Sequence, residues 1–319
     1  MKMKHKTGVA RKLSTYRSVI LFVIICIAGT ALSSDFLSLS NFFNVIKQVA
    51  VAGIVAGGMT VVILTGGIDL SVGSIVGLSG VLSAGVLAST GSVVLAILTG
   101  LATGLICGMV NGAFISLLKL PPFIITLGTM TMLRGIILVY TKGSPIPVKS
   151  DVFKAIGKDS IAGIPIPIIL LIVLYVVLHI VIKHTTFGRK VYAFGGNRDA
   201  AWLAGINVVR TEWKAYILSG LCAALAGIVL VARLGSAQAT CGEGIEMDAI
   251  AAVVLGGTSM SGGSGFVLPT VIGALIMGII DNILVLLNVN ALAIKIVKGI
   301  VIILAVVLDR KLKKVSEKA

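Results

Sequence analysis

Long apolar segments are the feature that most constrains how this chain can fold. A helix needs roughly 20 apolar residues to cross a bilayer. Ten segments approach that length, at 18–34, 48–66, 72–90, 92–118, 122–140, 163–182, 215–235, 248–262, 266–287 and 290–308. Charged residues make up only 12% of the chain, whereas an ordinary soluble domain carries roughly 25%. We therefore predict an all-α membrane protein, a polytopic helical bundle of about ten transmembrane helices.

Two of these segments leave an alternative open. The segment at 248–262 is short and rich in glycine, so hydropathy alone does not fix the span boundaries between 236 and 266. The first segment resembles a signal peptide, because a basic start and an apolar run precede small residues at Ala28–Ser34. Cleavage there would leave nine spans. We favour an uncleaved helix, because membrane proteins of this kind usually insert by their first span.

The basic residues are concentrated in three segments outside the predicted spans. The formal net charge is +15, and 17 of the 27 Lys and Arg residues lie at 1–17, 183–214 and 309–319. Basic residues favour the cytoplasmic side of a membrane, and ten spans place all three segments on one face. We therefore predict a transmembrane domain at 18–308, a cytoplasmic loop at 183–214 and two cytoplasmic basic tails. The positive charge indicates orientation and not a nucleic-acid partner.

A glycine-rich motif occurs twice in the chain. The pattern GGxxxSxGS occupies residues 66–74 and 256–264, each time between two apolar segments. Internal duplication with interrupted helices is a recurrent architecture of membrane transporters. The glycines permit a sharp break, and the serine hydroxyls can cap the next helix. The residues concerned are Gly66, Gly67, Ser71, Gly256, Gly257 and Ser261. Chance similarity in a chain with 38 glycines is the alternative.

Several charged residues fall at membrane depth, where an ionisable side chain suggests a function. Asp69 lies inside the first motif, and we predict that it caps the start of a helix; contact with a substrate is the alternative. Arg134, Asp281, Lys295 and Lys298 also lie within apolar segments. Since Asp281 and Lys295 flank the linked ends of the last two spans, a structural ion pair between them competes with a role in transport.

A stripe of glycines runs along the fourth predicted span, at Gly100, Gly104, Gly108 and Gly112. Residues four apart lie on one face of a helix, and glycine lets a second helix approach closely. We predict a packing contact within the chain, with dimerisation as the alternative.

The motifs of common enzymes are absent from the sequence. There is no GxxxxGK[ST] phosphate loop, HExxH zinc motif, GxSxG nucleophile motif or Cys/His cluster. We therefore predict no catalytic residue and no metal ligand in this chain. An active transporter built in this way must draw energy from another protein or from an ion gradient.

The predicted cytoplasmic loop contains a short helix signal. Asn197 can cap a helix at 198–204, and Gly205 can end it. Asp199 in the first turn suits the positive end of that helix. Small residues and Trp202 on an exposed helix favour a docking surface, with a simple interfacial turn as the alternative.

This loop and three other motifs together resemble a known family. The pattern DAAxxxG, formed by Asp199, Ala200, Ala201 and Gly205, is similar to the EAAxxxG loop of ATP-binding-cassette (ABC) importer permeases. Asp replaces Glu here, and the downstream Ile-x-Leu-Pro of the longer pattern is missing. The stretches that resemble the ribose-type monosaccharide permeases are Gly66–Ser74, Pro121–Gly128 with Arg134 and Gly135, Gly196–Ile206 and Met247–Gly263. The similarity extends from about residue 40 to 308.

The resemblance implies a subunit of a bacterial inner-membrane importer. Its expected partners are a second permease copy or a paralogue, a cytoplasmic ATPase with two nucleotide-binding modules, an external sugar-binding protein, and the membrane lipids around it. ATP and Mg would bind to the ATPase, with no cofactor in this chain. Asn197–Gly205 would form the helix that couples the permease to the ATPase. The residues expected near the translocation path are Gly66, Gly67, Asp69, Ser71, Asp248, Gly256, Gly257 and Ser261.

Two functional alternatives remain open from the residues alone. A secondary transporter driven by an ion gradient would need no ATPase, but no regular series of acidic residues suggests a proton relay. An ABC permease for a furanone signal, a nucleoside or a branched-chain amino acid would keep the mechanism and change the cargo.

Overall fold

The computed structural model describes residues 17–317, and these residues are predominantly helical. Within this range the chain forms thirteen α-helices: α1 (Arg17–Leu32), α2 (Leu39–Leu64), α3 (Val72–Thr90), α4 (Val93–Ser116), α5 (Pro122–Thr141), α6 (Asp151–Lys158), α7 (Ile166–His184), α8 (Thr186–Gly196), α9 (Arg198–Leu203), α10 (Val208–Leu234), α11 (Ile245–Leu255), α12 (Pro269–Leu286) and α13 (Ala291–Glu317). Four two-residue strands complete the described elements: β1 (Ile146–Pro147), β2 (Ser160–Ile161), β3 (Ile164–Pro165) and β4 (Ser236–Ala237).

The helices confirm the predicted fold class. Seven of those in residues 17–317, namely α2, α3, α4, α5, α7, α10 and α12, are long and apolar enough to cross a membrane. The shorter α1 is apolar as well, and α13 covers the last predicted segment. The predicted tail at 309–319 continues α13 as far as Glu317, whereas the tail at 1–17 lies outside the described residues apart from Arg17.

The eighth predicted span is wrong as a single helix. The helix α11 has 11 residues, so it is about 16 Å long at 1.5 Å per residue, while the hydrocarbon core is roughly 30 Å thick. Beyond it, residues 256–268 are irregular. Gly257, Gly262 and Gly263 have positive φ angles, which end a helix and which few other residues adopt. The chain here consists of a half-helix followed by an irregular segment.

The centre of the bundle consists of α2 and α10. In each of these helices, 78% of the apolar window is buried by the rest of the chain, compared with 22% in α5 and 28% in α7. Because apolar residues at the periphery of the bundle would contact lipid tails instead of protein, this difference places α5 and α7 at the lipid-facing surface.

The glycine stripe of α4 packs against α10, as predicted. A Cβ atom on Gly104 would meet the carbonyl oxygen of Gly220, and one on Gly108 would lie 2.5 Å from the carbonyl oxygen of Tyr216. The two backbones can therefore approach only because glycine occupies these positions. The alternative of dimerisation is not needed to explain the stripe.

The two ends of the bundle carry different elements. The ribbon end is formed by the antiparallel pair β1–β4, in which Ile146 lies opposite Ala237, together with α6. The loop end is formed by α8 and α9, which connect α7 to α10. Since α10 begins at the loop end and leads into β4, these two groups of elements lie at opposite ends of the bundle.

Candidate functional site

The loop end contains the helix that the sequence predicts. The side chain Oδ1 of Asn197 accepts a hydrogen bond of 2.9 Å from the backbone N–H of Ala200 and so caps α9. Gly205 follows the helix with a φ of +79°. Its N–H donates to the carbonyl of Trp202, and the N–H of Ile206 donates to that of Ala201, the hydrogen bonds of a Schellman motif. The predicted cap and stop residues are both confirmed.

One face of α9 fixes it to the bundle. Ala201 is buried and packs with Phe194 of α8 and Val208 of α10. The guanidinium of Arg198 lies 5.2 Å from the centre of the Phe194 ring and 3.4 Å from a carboxylate oxygen of Glu212. The helix is therefore held to both of its neighbours and can transmit a displacement to them.

The opposite face of α9 is exposed and apolar. Trp202 and Leu203 are 65% and 77% exposed, and Asp199 and Ala200 are exposed beside them. Trp202 also lines a groove of about 540 Å³ that extends to Lys119. No described residue covers this face. Its function as an ATPase contact stays a prediction.

The end of α8 meets both copies of the glycine-rich motif. A Cβ on Gly195 would collide with the carbonyl oxygen of Leu64, where α2 ends, and would lie 2.6 Å from the backbone nitrogen of Gly263. The N–H of Gly263 donates to that same carbonyl oxygen at 3.0 Å. We call this meeting of backbones, which also includes Gly66, Gly196 and Gly262, the glycine junction. It connects α9 to both segments that were predicted near a path.

A side chain holds α8 to the second motif as well. The hydroxyl of Tyr192 donates a 2.8 Å hydrogen bond to the carbonyl oxygen of Gly265. Burial raises the pKa of this hydroxyl, so that it stays protonated and available as a donor. The contact therefore supplements the glycine junction one turn earlier in α8.

The two motif copies have similar backbone geometry, which supports the internal repeat. Both α2 and α11 end in a Schellman motif with a glycine of positive φ, Gly66 at +82° and Gly257 at +97°. The N–H groups of Gly66 and Gly257 each donate to the carbonyl three residues earlier. The geometry thus pairs Gly66 with Gly257, one position away from the pairing of Gly66 with Gly256 in the sequence motif.

In the polar turn that follows, the residues of the two copies correspond as they do in the sequence motif. The N–H of Ser71 donates to Oδ1 of Asp69 at 3.0 Å, and that of Ser261 donates to Oγ of Ser259 at 3.4 Å. The prediction that the two serines cap the following helices is wrong. Ser71 makes no side-chain cap, because its hydroxyl donates to Asp69, and α12 begins only at Pro269.

Asp69 is the centre of a buried polar network. Its side chain has no exposed area and accepts hydrogen bonds from the hydroxyl of Ser71 at 2.6 Å and that of Ser219 at 3.1 Å. Asn111 donates to Ser71 at 2.8 Å and accepts from Thr129 at 2.6 Å. The network joins the start of α3 to α4, α5 and α10. The prediction that Asp69 caps a helix is wrong, because its Oδ1 accepts from the N–H of Ser71, which precedes the first turn of α3, and its oxygens are satisfied within the chain.

Sequence reasoning missed the partners of Asp69. A signal existed, since Asn111 and Ser219 are polar residues inside apolar spans. However, Asn111 is 40 residues from Ser71, and Ser219 is 150 residues from Asp69. Nothing in the sequence pattern brings such distant positions together.

A second cluster of charges connects three helices. The amine of Lys298 in α13 lies 2.9 Å from a carboxylate oxygen of Asp248 in α11 and 2.8 Å from one of Asp281 in α12. The predicted pair between Asp281 and Lys295 is wrong, because Lys295 is exposed and Lys298 occupies the face that packs on α11. Asp248, predicted near the path, is thus held in an ion-pair cluster.

The side chain of Arg134 connects two elements of the fold. Arg134 donates to the backbone carbonyl of Cys241 at 2.7 Å and so ties α5 to the connection between β4 and α11.

Among residues 17–317, no group of three or more His, Cys, Asp or Glu side chains is arranged to hold a metal ion.

A bundle of apolar helices, interrupted twice at glycine-rich segments that contact the end of α8, defines a polytopic membrane protein with the interrupted helices typical of transporters. Residues 41–306 match the family model described as the permease component of branched-chain amino acid transport systems. This match covers most of the chain, which belongs to that family.

Curated relatives match over nearly the whole chain. The ribose import permease protein RbsC of Bacillus subtilis is 48% identical over 309 residues, which cover 96% of this chain and 95% of the relative. The protein of the same name in Escherichia coli K12 is 44% identical, with 92% of each chain covered. The D-allose transport system permease protein AlsC of E. coli is 39% identical, with 92% of this chain and 91% of the relative covered. No solved structure gives a significant match.

Proposed function

We propose that this chain is the permease subunit of an ABC importer that moves a monosaccharide of ribose type into the cytoplasm. The observation that carries this proposal is the 48% identity to a ribose import permease over 96% of the chain. Relatives named for D-allose and L-arabinose transport, at 39% and 36% identity, support the same class of cargo. The chain would lie in the bacterial inner membrane with the loop end and both termini facing the cytoplasm.

The energy for transport would come from a partner chain. The sequence carries no phosphate-binding loop, so ATP and Mg would bind to a cytoplasmic ATPase with two nucleotide-binding modules. The exposed apolar face of α9, with Trp202 and Leu203, would be seated in a cleft of that ATPase. A buried apolar anchor of this kind is typical of the centre of a protein interface.

Coupling would operate through the backbone contacts at the loop end. When ATP draws the two ATPase modules together, α9 moves with the module it contacts. Because α9 is fixed to α8 through Ala201 and Phe194, α8 moves as well, and its end at Gly195 displaces the two interrupted segments. The bundle would then alternate between an outward-open and an inward-open arrangement, with the ATPase binding each state differently.

The remaining partners would bind at other surfaces. An external sugar-binding protein would dock at the ribbon end and supply most of the specificity, since a translocation path must hold its cargo only weakly. A second permease copy or a paralogue would complete the pathway.

Reconstitution into vesicles tests this function. The permease, co-purified with its ATPase and binding protein, should take up labelled ribose only when ATP is supplied on the ATPase side. The permease alone should take up none under a proton or sodium gradient. Gradient-driven uptake by the chain alone would favour a secondary transporter and contradict the proposal.

A cargo panel separates the closer alternatives. Uptake of ribose, allose, arabinose, a nucleoside, a furanone signal and a branched-chain amino acid should be compared in the same vesicles. The expected order places the monosaccharides first. ATP-driven uptake restricted to another class of solute would agree with the importer mechanism but contradict the proposed cargo.

A further inference from the structure

A second cleft at the loop end has no role in the proposed coupling. It has a volume of about 430 Å³ and lies between the end of α7, the helix α8 and the segment that leads into α12. The lining residues are His179, Ile182, Lys183, Arg189, Tyr192, Phe266, Val267, Leu268 and Pro269.

One side of this cleft is apolar and continuous with the lipid-facing surface. Phe266 and Leu268 are both exposed, although they lie beside a transmembrane helix. Val176 and Ile180, on the adjacent turns of α7, are exposed as well. In water such a surface would be unfavourable, but it provides a wall along which an acyl chain can lie.

The other side carries cations that nothing in residues 17–317 neutralises. The side chains of Lys183 and Arg189 are exposed and form no hydrogen bond or ion pair with these residues. The sequence contains no Asp or Glu between Asp159 and Asp199, or between Asp248 and Asp281, so both segments that form the cleft lack acidic side chains. The cleft is therefore complementary to an anion.

We propose that this cleft binds an anionic phospholipid of the surrounding leaflet. The phosphate group would lie between Lys183 and Arg189, and an acyl chain would follow Phe266, Leu268 and the exposed side of α7. Basic pockets between transmembrane helices are suited to anionic headgroups. A free phosphate would use the cations but leave the apolar wall exposed, and only a lipid uses both.

A lipid bound in this cleft would also connect two elements of the fold. Tyr192, which lines the cleft, donates to the carbonyl of Gly265 and so joins α8 to the irregular segment after α11. A lipid between Lys183, Arg189 and Leu268 would hold these same elements together. The inference goes beyond the proposed function, because it holds for any cargo.

Lipid binding to the delipidated protein tests the proposal. We would titrate purified protein with phosphatidylglycerol, with phosphatidylcholine of the same chain length, and with glycerol 1-phosphate, following bound lipid by native mass spectrometry and the thermal unfolding midpoint. Phosphatidylglycerol alone should bind tightly and raise the midpoint. The variant Lys183→Ala/Arg189→Ala should bind phosphatidylglycerol about 25-fold more weakly, because each cation removed should weaken binding about fivefold.

Matched variants separate a site from a general effect of charge. Lys149→Ala/Lys190→Ala removes the same charge outside the cleft and should retain binding, as should Arg189→Lys, which keeps the cation. Leu268→Gln should weaken binding of the lipid. Equal binding of phosphatidylglycerol by the Lys183→Ala/Arg189→Ala variant and the unaltered protein would overturn the proposal.

Two further results would also overturn it, each for a different reason. If glycerol 1-phosphate stabilised the protein as much as phosphatidylglycerol, the site would serve a soluble phosphate. If the Lys183→Ala/Arg189→Ala variant kept its lipid but no longer co-purified with the ATPase, the cations would contact an acidic protein surface instead.

Discussion

The carboxylate of Asp69 is held entirely by groups of its own chain. Both of its oxygens accept hydrogen bonds, from Ser71 and from Ser219, and the side chain has no exposed area. A carboxyl group satisfied in this way fixes the geometry of the break between α2 and α3, because losing one donor leaves a buried oxygen without its hydrogen bond.

The variant Asp69→Asn should therefore lower the free energy of unfolding by about 2 kcal/mol, since an amide nitrogen cannot accept the hydrogen bonds of the serine hydroxyls. Thermal unfolding in detergent measures this effect, with the exposed Asp159→Asn as the control. Normal stability combined with lost sugar uptake would instead indicate that Asp69 contacts the substrate.

The ion-pair cluster gives a second prediction at the same scale. Lys298→Met leaves Asp248 and Asp281 mutually repelling and poorly solvated, and should cost about 3 kcal/mol of stability. Lys295→Met, one turn away on the exposed side of α13, should change it by less than about 0.5 kcal/mol. Equal effects of the two substitutions would show that Lys298 does not stabilise Asp248 and Asp281.

Among the elements, α9 was the most predictable from sequence and α11 the least. The cap by Asn197 and the stop at Gly205 depend on residues within one short segment, so local chemistry is sufficient to locate them. In α11, hydropathy continues past Leu255 while the glycines at 256 and 257 end the helix. An apolar average over 20 residues does not detect such a break.

Added bulk on the exposed side of α9 should lower sugar uptake. Ala200→Phe adds bulk to the face that should enter the ATPase, and we expect sugar uptake to fall at least about tenfold, as expected for a disrupted interface anchor, while membrane insertion stays intact. Ala193→Phe, on the exposed side of α8, is the matched control. Unchanged uptake by Ala200→Phe would contradict the docking assignment.

Across the whole molecule, the contacts that link the loop end to the bundle were beyond sequence reasoning. The glycine junction brings together Gly66, Gly195 and Gly263 from positions as much as 197 residues apart. Each glycine reads locally as a turn or a helix end. Only the packing of α2 and α11 beside α8 makes them a single contact, and no periodicity in the chain encodes that arrangement.

The adjacent glycines of α8 test whether this junction transmits movement. Gly195→Ala places a Cβ against the carbonyl oxygen of Leu64, whereas Gly196→Ala meets nothing within 4 Å. We expect the first variant to hydrolyse ATP with less sugar moved per ATP, and the second to behave as the unaltered protein. The measurement is the ratio of labelled sugar taken up to phosphate released in vesicles. The same ratio in both variants would exclude the junction from coupling.

The half-helix α11 also has a consequence for biosynthesis. Residues 256–268 form hydrogen bonds with the end of α2 and with α8, both of which are synthesised much earlier. When the ribosome has completed this segment, both of these helices are already present, so the segment can bond to them only if its sites on them are still accessible. The order of synthesis thus makes the glycine junction a late contact, which forms after the central helices α2 and α10 have been synthesised.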